Sequence, residues 1–204
     1  MKKEHLKEIE KNRIVVSKLI DKVVTSDRKE KIVAMLEDDD FGALLFTAPA
    51  SSKKEYHYAW PGGLVSHSLN VYKNLRKLNT AFECGFTEEE MFIGGFFHDL
   101  GKACDSTLKN PQYVPTTEDW KLRKGWFYEY SKEGVYLTNH LRSLYVFQHF
   151  GIRLTAEEYQ AVFLNDMHYL QSNSDFKLKE CSLALMVHTA DRWALSMEVA
   201  EKQL

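Results

Sequence analysis

"GGFFHDLGK", residues 94–102, is the stretch on which the reading of this chain turns. Two glycines and two phenylalanines run directly into His98 and Asp99, and Leu100, Gly101 and Lys102 follow. The stretch is too apolar for a surface loop, yet it carries two strong metal ligands side by side. Just upstream, Thr87-Glu88-Glu89-Glu90 has the form of a capping box, with Thr87 as N-cap and Glu90 at N3. The expected helix runs from there through Met91 and Phe96 to His98-Asp99, and Gly101 is expected to stop it from the C′ position. Being apolar nearly all round, it should be central and buried. In mid-helix, adjacent side chains diverge by about 100°, but at a released helix end they can converge. A buried aspartate without a partner costs several kcal/mol or must take up a proton. A cation removes both problems.

Outward from this stretch the pattern is helical. Residues 3–24 place Leu6, Ile9, Val16, Leu19, Ile20 and Val23 at three- and four-residue spacings, the mark of an amphipathic helix. Residues 27–37 read as a second, short helix. Residues 38–63 hold no sustained period and read as a long, partly buried, ordered loop. After Pro61-Gly62-Gly63 a helix is expected over about 64–78, with Leu64, His67, Val71, Leu75 and Leu78 on one stripe. Residues 105–135, rich in Thr, Trp, Tyr and Val around Lys124-Gly125, read as a small β-hairpin. Helices resume at about 138–150, after a second capping box at Thr155–Glu158, and over about 177–202. The fold class expected is all-α, a helical bundle with one small β-hairpin insertion.

With 204 residues, 44% apolar and 27% charged, the chain suits one domain that buries a real core. A formal charge of -2 argues against a dedicated duplex-DNA binder, which needs a broad basic footprint. Cys84, Cys104 and Cys181 are odd in number and far apart, which fits a reducing compartment rather than a disulfide framework. They read as small core residues. The charged start "MKKEHLKEIEKNR" shows no secretory signal, and no apolar run is long enough to span a bilayer. A soluble, cytoplasmic protein with no membrane partner is expected.

Two further segments complete a constellation. His67 lies on the apolar stripe of its helix; taken alone, it is more readily a satisfied core histidine. Asp191, in "LALMVHTADRWALSM" (183–197), is a carboxylate in an apolar run, with Arg192 and His188 as alternative local partners. Together, His67, His98-Asp99 and Asp191 bring a mixed nitrogen and oxygen set into the core. Such a set suits a divalent ion such as Mn²⁺, Fe²⁺, Co²⁺, Ni²⁺, Zn²⁺ or, harder still, Mg²⁺, not a thiolate site.

The order His67, His98-Asp99, Asp191 resembles the HD-domain metal-dependent phosphohydrolase superfamily. "PGGLVSHSLNV" (61–71), "FFHDLGK" (96–102) and "HTADRWA" (188–194) are similar to its first, second and last motifs, and "APASSKKEYHYAWPGG" (48–63) resembles the approach to the first motif in many small bacterial and phage members. The likeness spans residues 46–195. It implies an HD-type phosphohydrolase domain over residues 38–204, with residues 1–37 as a helical segment packed on that core or at a subunit interface, so a homo-oligomer stays open. It implies that His67, His98, Asp99 and Asp191 hold one divalent metal, and that Lys102 contacts the substrate phosphate or the attacking water. Many relatives hold a second metal with two more histidines. One falls in "TNHLRS" (138–143), where the column is either His140 or Asn139. The other falls in "FLNDMH" (163–168), where the family's His-Asp stands as Asn165-Asp166. Asparagine is a poor ligand, with Asp166 or His168 as substitutes, so one metal, or one tight and one weak, is expected. Mononuclear members are typically nucleotidases and nucleoside triphosphate phosphohydrolases.

The resemblance therefore implies a metal-activated water attacking a nucleotide or related small phosphate ester. Asp99 or Asp166 would take the water's proton. Lys102, with Arg142 or Arg192, would stabilise charge on the phosphate, unless the arginines serve ordinary salt bridges. His57 is either a proton donor to the leaving group or a packed loop histidine. Trp60, with Tyr56 and Tyr58, is either a nucleobase platform or a lid. Trp120, Lys121, Arg123, Lys124, Trp126 and Tyr128 interleave basic and aromatic residues, as a solvated hairpin or a grip on single-stranded nucleic acid. The alternatives carried are a phosphodiesterase or 3′-exonuclease on single-stranded nucleic acid, and a non-catalytic nucleotide-binding HD domain.

Overall fold

The computed structural model describes residues 1–166 and 171–201, apart from the side chains of residues 172 and 201. Among the described residues the chain is mostly helical with one two-stranded sheet, as expected. Helices α1 (Lys3–Val23), α2 (Lys29–Glu37) and α3 (Phe41–Thr47) come first, and α4 (Gly63–Ala81) is the first long core helix. Then follow α5 (Glu88–Met91), a π-helical turn over Phe92–Phe96 and a 3-10 turn over Leu100–Lys102. Strands β1 (Tyr113–Pro115) and β2 (Tyr128–Tyr130) flank α6 (Asp119–Arg123). The chain ends in α7 (Asn139–His149), α8 (Ala156–Phe163), a 3-10 turn over Gln171–Phe176 and α9 (Ser182–Glu201). Among the described residues no helix is long and apolar enough to cross a membrane. His168 lies outside them.

The site-bearing centre is α4 lying along α9, with the π-helical turn wedged against α4, α8 and α9. Phe92, Phe96, Phe97 and Phe147 are fully buried there. Both capping boxes form: the Thr87 and Thr155 side chains accept from the N3 amides of Glu90 and Glu158, whose carboxylates reach back. The same hydrophobic cluster takes in Ile9, Val16, Ile20 and Val23 of α1 and Ile32 and Met35 of α2. Polar ties reinforce this packing. Arg28 bridges Glu89 and Glu158 at 2.6 Å each, and Asn12 donates to Ser66 Oγ at 2.8 Å.

Four expectations are corrected. The 38–63 loop contains α3, whose Phe41, Leu45 and Phe46 enter the core; Asp38 Oδ1 accepts from the Phe41 amide at 2.8 Å and so caps its start. The helix through residues 87–101 is not a plain α-helix, because after Met91 it widens into the π turn. Gly101 lies in a 3-10 turn and is absent from the left-handed residues. A Cβ there would sit 2.3 Å from the Asn139 carbonyl oxygen, so its role is close approach to α7 rather than helix termination. The last helix begins at Ser182, five residues beyond the expected start.

The sheet pairs Tyr113 with Tyr130 and Pro115 with Tyr128, antiparallel. Its connection carries α6, so Trp120, Lys121 and Arg123 lie on a helical turn and do not alternate along a strand. Lys121 is taken up by Glu118 at 2.5 Å and Glu129 at 3.1 Å.

Candidate metal centre

Three elements converge. His67 comes from the second turn of α4 and is wholly buried. His98 and Asp99 follow the π turn, at 1% and 5% exposure, and Asp191 comes from α9. The π turn inserts an extra residue per turn, a feature that concentrates at functional sites. Here it leads directly into the turn that carries His98 and Asp99.

The two histidines are held in one tautomer by acceptors that cannot donate. His67 Nδ1 donates to Glu198 Oε2 at 2.9 Å, and His98 Nδ1 donates to the Gly95 carbonyl at 2.7 Å. Each ring therefore turns Nε2 toward the carboxylates, as the atom a cation would take in place of any proton there. Neither Nε2 has a well-directed hydrogen bond, although both are buried. His67 Nε2 stands 2.9 Å from Asp191 Oδ1, and His98 Nε2 stands 3.7 Å from the same oxygen and 3.3 Å from Asp99 Oδ2. His67, His98 and Asp191 offer ligand atoms all within 4.8 Å of one another. Two orphaned imidazole nitrogens facing carboxylate oxygens fit a divalent transition ion, by donor type and by the polar atoms left without partners.

Charge is tightly coupled here. Burial pulls the His67 pKa down, but the Asp191 and Glu198 carboxylates beside the ring outweigh it and, without a cation, push it up to about 9. Burial raises Asp191, yet the His67 ring 2.9 Å away brings it down to about 2. Burial likewise raises Asp99, and the Lys102 ammonium, 2.5 Å from Oδ2, leads the charges that hold it well below the usual carboxylate range.

Asp99 Oδ1 is covered from the other side. Asn139 Nδ2 donates to it at 2.5 Å and Asn165 Nδ2 at 2.9 Å. Asn165 Nδ2 also donates to the His98 carbonyl at 3.2 Å, which fixes the amide's orientation. Both positions expected for second-metal histidines thus carry amides bonded to Asp99. His140 is not brought to the centre. Its Nε2 contacts Thr138 Oγ1 at 3.1 Å and its ring packs on Phe163. Of the two columns left open, Asn139 is the one that faces the site.

The centre opens to a cleft of about 350 Å³ lined by His57, His98, Asp99, Lys102, Asn165, Asp166, Asp191 and Arg192. Tyr56, Tyr113 and Tyr130 add aromatic walls. Burial, then the charges of Asp99 and Asp191, raise the Asp166 carboxyl. His57 is pushed down to about 2 by burial and by the charges of His67 and Lys102, so its ring is neutral at neutral pH, with one N–H and one lone-pair nitrogen. Arg142 does not line the cleft. It donates to the carbonyls of Gly101 and Leu137, both at 2.5 Å, and locks α7 to the 3-10 turn. Trp60 also stays outside, stacked on His5 at 5.3 Å. His188 lines the cleft and donates to the Asn165 carbonyl at 3.0 Å.

Sequence reasoning missed Glu198. It is 1% exposed, orients His67, and accepts from Asn70 Nδ2 at 2.8 Å. Its spacing from Asp191 was the available signal: seven residues, two helical turns, the same face of α9. Comparison of the chain with models of protein families, with curated proteins and with solved structures returns no match.

Proposed function

We propose that the protein is a metal-dependent phosphohydrolase acting on a nucleotide or a related small phosphate ester, in the manner of the HD-domain enzymes its motifs resemble. One observation carries the reading: two buried histidines, each pinned through Nδ1, aim unpartnered Nε2 atoms at Asp191 and Asp99. His67, His98, Asp99 and Asp191 would hold a divalent ion. The chemistry such an ion supplies when bound is neutralisation of phosphate charge and a lowered pKa for water.

The chain's own residues supply the rest. Lys102, partly exposed in the cleft, offers an ammonium to a phosphoryl oxygen while its other face remains on Asp99. Asp166, with its raised carboxyl, is placed to accept a proton from the attacking water. Arg192 adds positive charge at the rim. The amides of Asn139 and Asn165 occupy Asp99 Oδ1, which favours a single cation over a pair.

The test is metal content of the purified protein beside His98→Ala, followed by phosphate release across nucleotides with Mn²⁺, Co²⁺ and Mg²⁺. A single cation per chain, lost in the variant, with turnover of one nucleotide class, is expected. No bound metal and no turnover would make the His-Asp pair structural.

A second reading has its own observation. Beside the cleft, and sharing Glu55 and Val199 with it, runs a groove of about 1050 Å³ lined by Lys54, Arg123, Lys124, Trp60, Phe127 and Tyr128. Basic and aromatic residues side by side suit a single-stranded nucleic acid, and hence phosphodiester cleavage. Shortening of a labelled oligonucleotide, weakened by Arg123→Ala/Lys124→Ala, would favour this reading over the nucleotidase.

A further inference from the structure

His57 is a buried polar side chain that the proposed chemistry leaves without a role. It is 6% exposed, and neither ring nitrogen has a hydrogen-bond partner. An imidazole hidden without partners forfeits on the order of 1–3 kcal/mol, and such groups call for a ligand.

Its placement is specified by the fold. Ser51 Oγ donates to the His57 carbonyl at 2.6 Å, and the Ala50 amide donates to the Tyr58 carbonyl at 3.1 Å. Tyr58 itself has φ +39°, a conformation that side-chain-bearing residues rarely adopt. A Cβ on Gly63 would lie 2.1 Å from the Tyr58 carbonyl oxygen, so the loop is pressed onto the first turn of α4. The clamp holds the His57 ring 4.4 Å from that of His67, in the wall of the cleft that exposes His98, Asp99 and Asp191. Two groups of donor atoms meet the same 4.8 Å closeness, His67/His98/Asp191 and His57/His67/Glu198, and they share His67.

We propose that His57 is a third imidazole ligand of the cation held by His67, His98, Asp99 and Asp191. The inference rests on the metal reading above. One ring nitrogen serves the cation; the other, carrying the proton, is left for an oxygen of substrate or water in the cleft. A third nitrogen donor changes which ion the site prefers. Imidazole suits Fe²⁺, Co²⁺, Ni²⁺ and Zn²⁺, whereas Mg²⁺ keeps oxygen ligands and water. The site is therefore a transition-metal site that discriminates against Mg²⁺.

The experiment uses the full chain loaded with Co²⁺. In proton NMR each coordinated imidazole gives a hyperfine-shifted, exchangeable N–H signal, and Co²⁺ affinity is read by competition with a chelator. Three such signals are expected. In His57→Gln, two signals and a loss of Co²⁺ affinity of about tenfold or more are expected, with Mg²⁺ affinity little changed. Circular dichroism and a melting curve establish that the variant folds. If it does not, the wild-type count decides: three signals support the ligand and two overturn it. A folded variant that matches wild type in Co²⁺ affinity and visible absorption overturns this inference alone. Wild type that takes up no Co²⁺ overturns both it and the proposed function.

Discussion

Glu198 reaches His67 through a buried hydrogen bond, and that bond decides which ring nitrogen faces the carboxylates. Replacing the carboxylate with an amide keeps the shape but permits the opposite tautomer. Glu198→Gln is expected to weaken cation binding by about 10–100-fold, because a group that orients a ligating histidine contributes on that scale. Chelator competition measures it, and unchanged affinity would reduce Glu198 to a packing residue. Lys102 acts on a different quantity. Lys102→Met should lower kcat by roughly 10²–10³ while cation content stays that of wild type, as expected when a charge stabilises developing phosphate charge. Phosphate release and metal analysis on the same sample separate the two effects. At this scale the residue types were legible in the sequence: His67, His98, Asp99, Asp191 and Lys102 all reach one cleft or its floor. Glu198 showed only its seven-residue spacing from Asp191, because a carboxylate near the end of a helix otherwise reads as solvated charge until its long-range partner is known. His140, Arg142 and Trp60 have suitable chemistry, but tertiary packing turns them to Thr138, to backbone carbonyls and to His5.

Among the elements, the 3-10 turn and α7 depend on one missing methyl group. Ser143 Oγ accepts from the Gly101 amide at 2.8 Å, and Arg142 donates to the Gly101 carbonyl. Gly101→Ala would drive a Cβ into backbone atoms of Asn139 and Ser143. A destabilisation of about 1–3 kcal/mol is expected, with the melting midpoint lower by several degrees. The displaced α7 would also carry Asn139 away from Asp99, so weaker cation binding should accompany the lower midpoint; a lower midpoint with intact binding would uncouple the two. Elements with local signals were readable: α1 from its apolar spacing, α5 and α8 from their capping boxes. The π turn was not, because five consecutive buried residues contain no polar position to reveal the period. Seven-residue α3 is too short to display a repeat, so its helicity follows from the core that Phe41, Leu45 and Phe46 complete.

Across the whole molecule, the α1–α2 segment is tied to the core by charge as well as by apolar contact. Glu89 accepts from the amides of Thr25 and Ser26 at 2.9 and 3.1 Å, from the Ser26 hydroxyl and from Arg28. Burial alone would raise its pKa from 4.5, but these bonds, Ser26 first, bring it down to about 2. A carboxyl whose folded pKa is depressed contributes its full stabilisation above the unfolded value and loses it as pH falls toward the folded one. Glu89→Gln should therefore cost about 1.5–3 kcal/mol at neutral pH, and the difference from wild type should shrink between about pH 4.5 and 2. Urea unfolding of both proteins at neutral pH and near pH 3 reads this directly; a pH-independent difference would exclude the ionised tie.

The spacing of the centre along the chain has a consequence for its history in the cell. His67 and Asp191 belong to α4 and α9, and Glu198 lies beyond Asp191. At about 5–20 residues per second, a ribosome that has finished His67 needs roughly 6–25 seconds to add Asp191. Throughout that interval α4 has no α9 to lie against, and the part of its apolar face that α9 covers is open to chaperones or to other nascent chains. If the site takes a cation as proposed, capture by the full ligand set would wait until α9 has emerged and would belong to the last steps of maturation, not to nucleation of the fold.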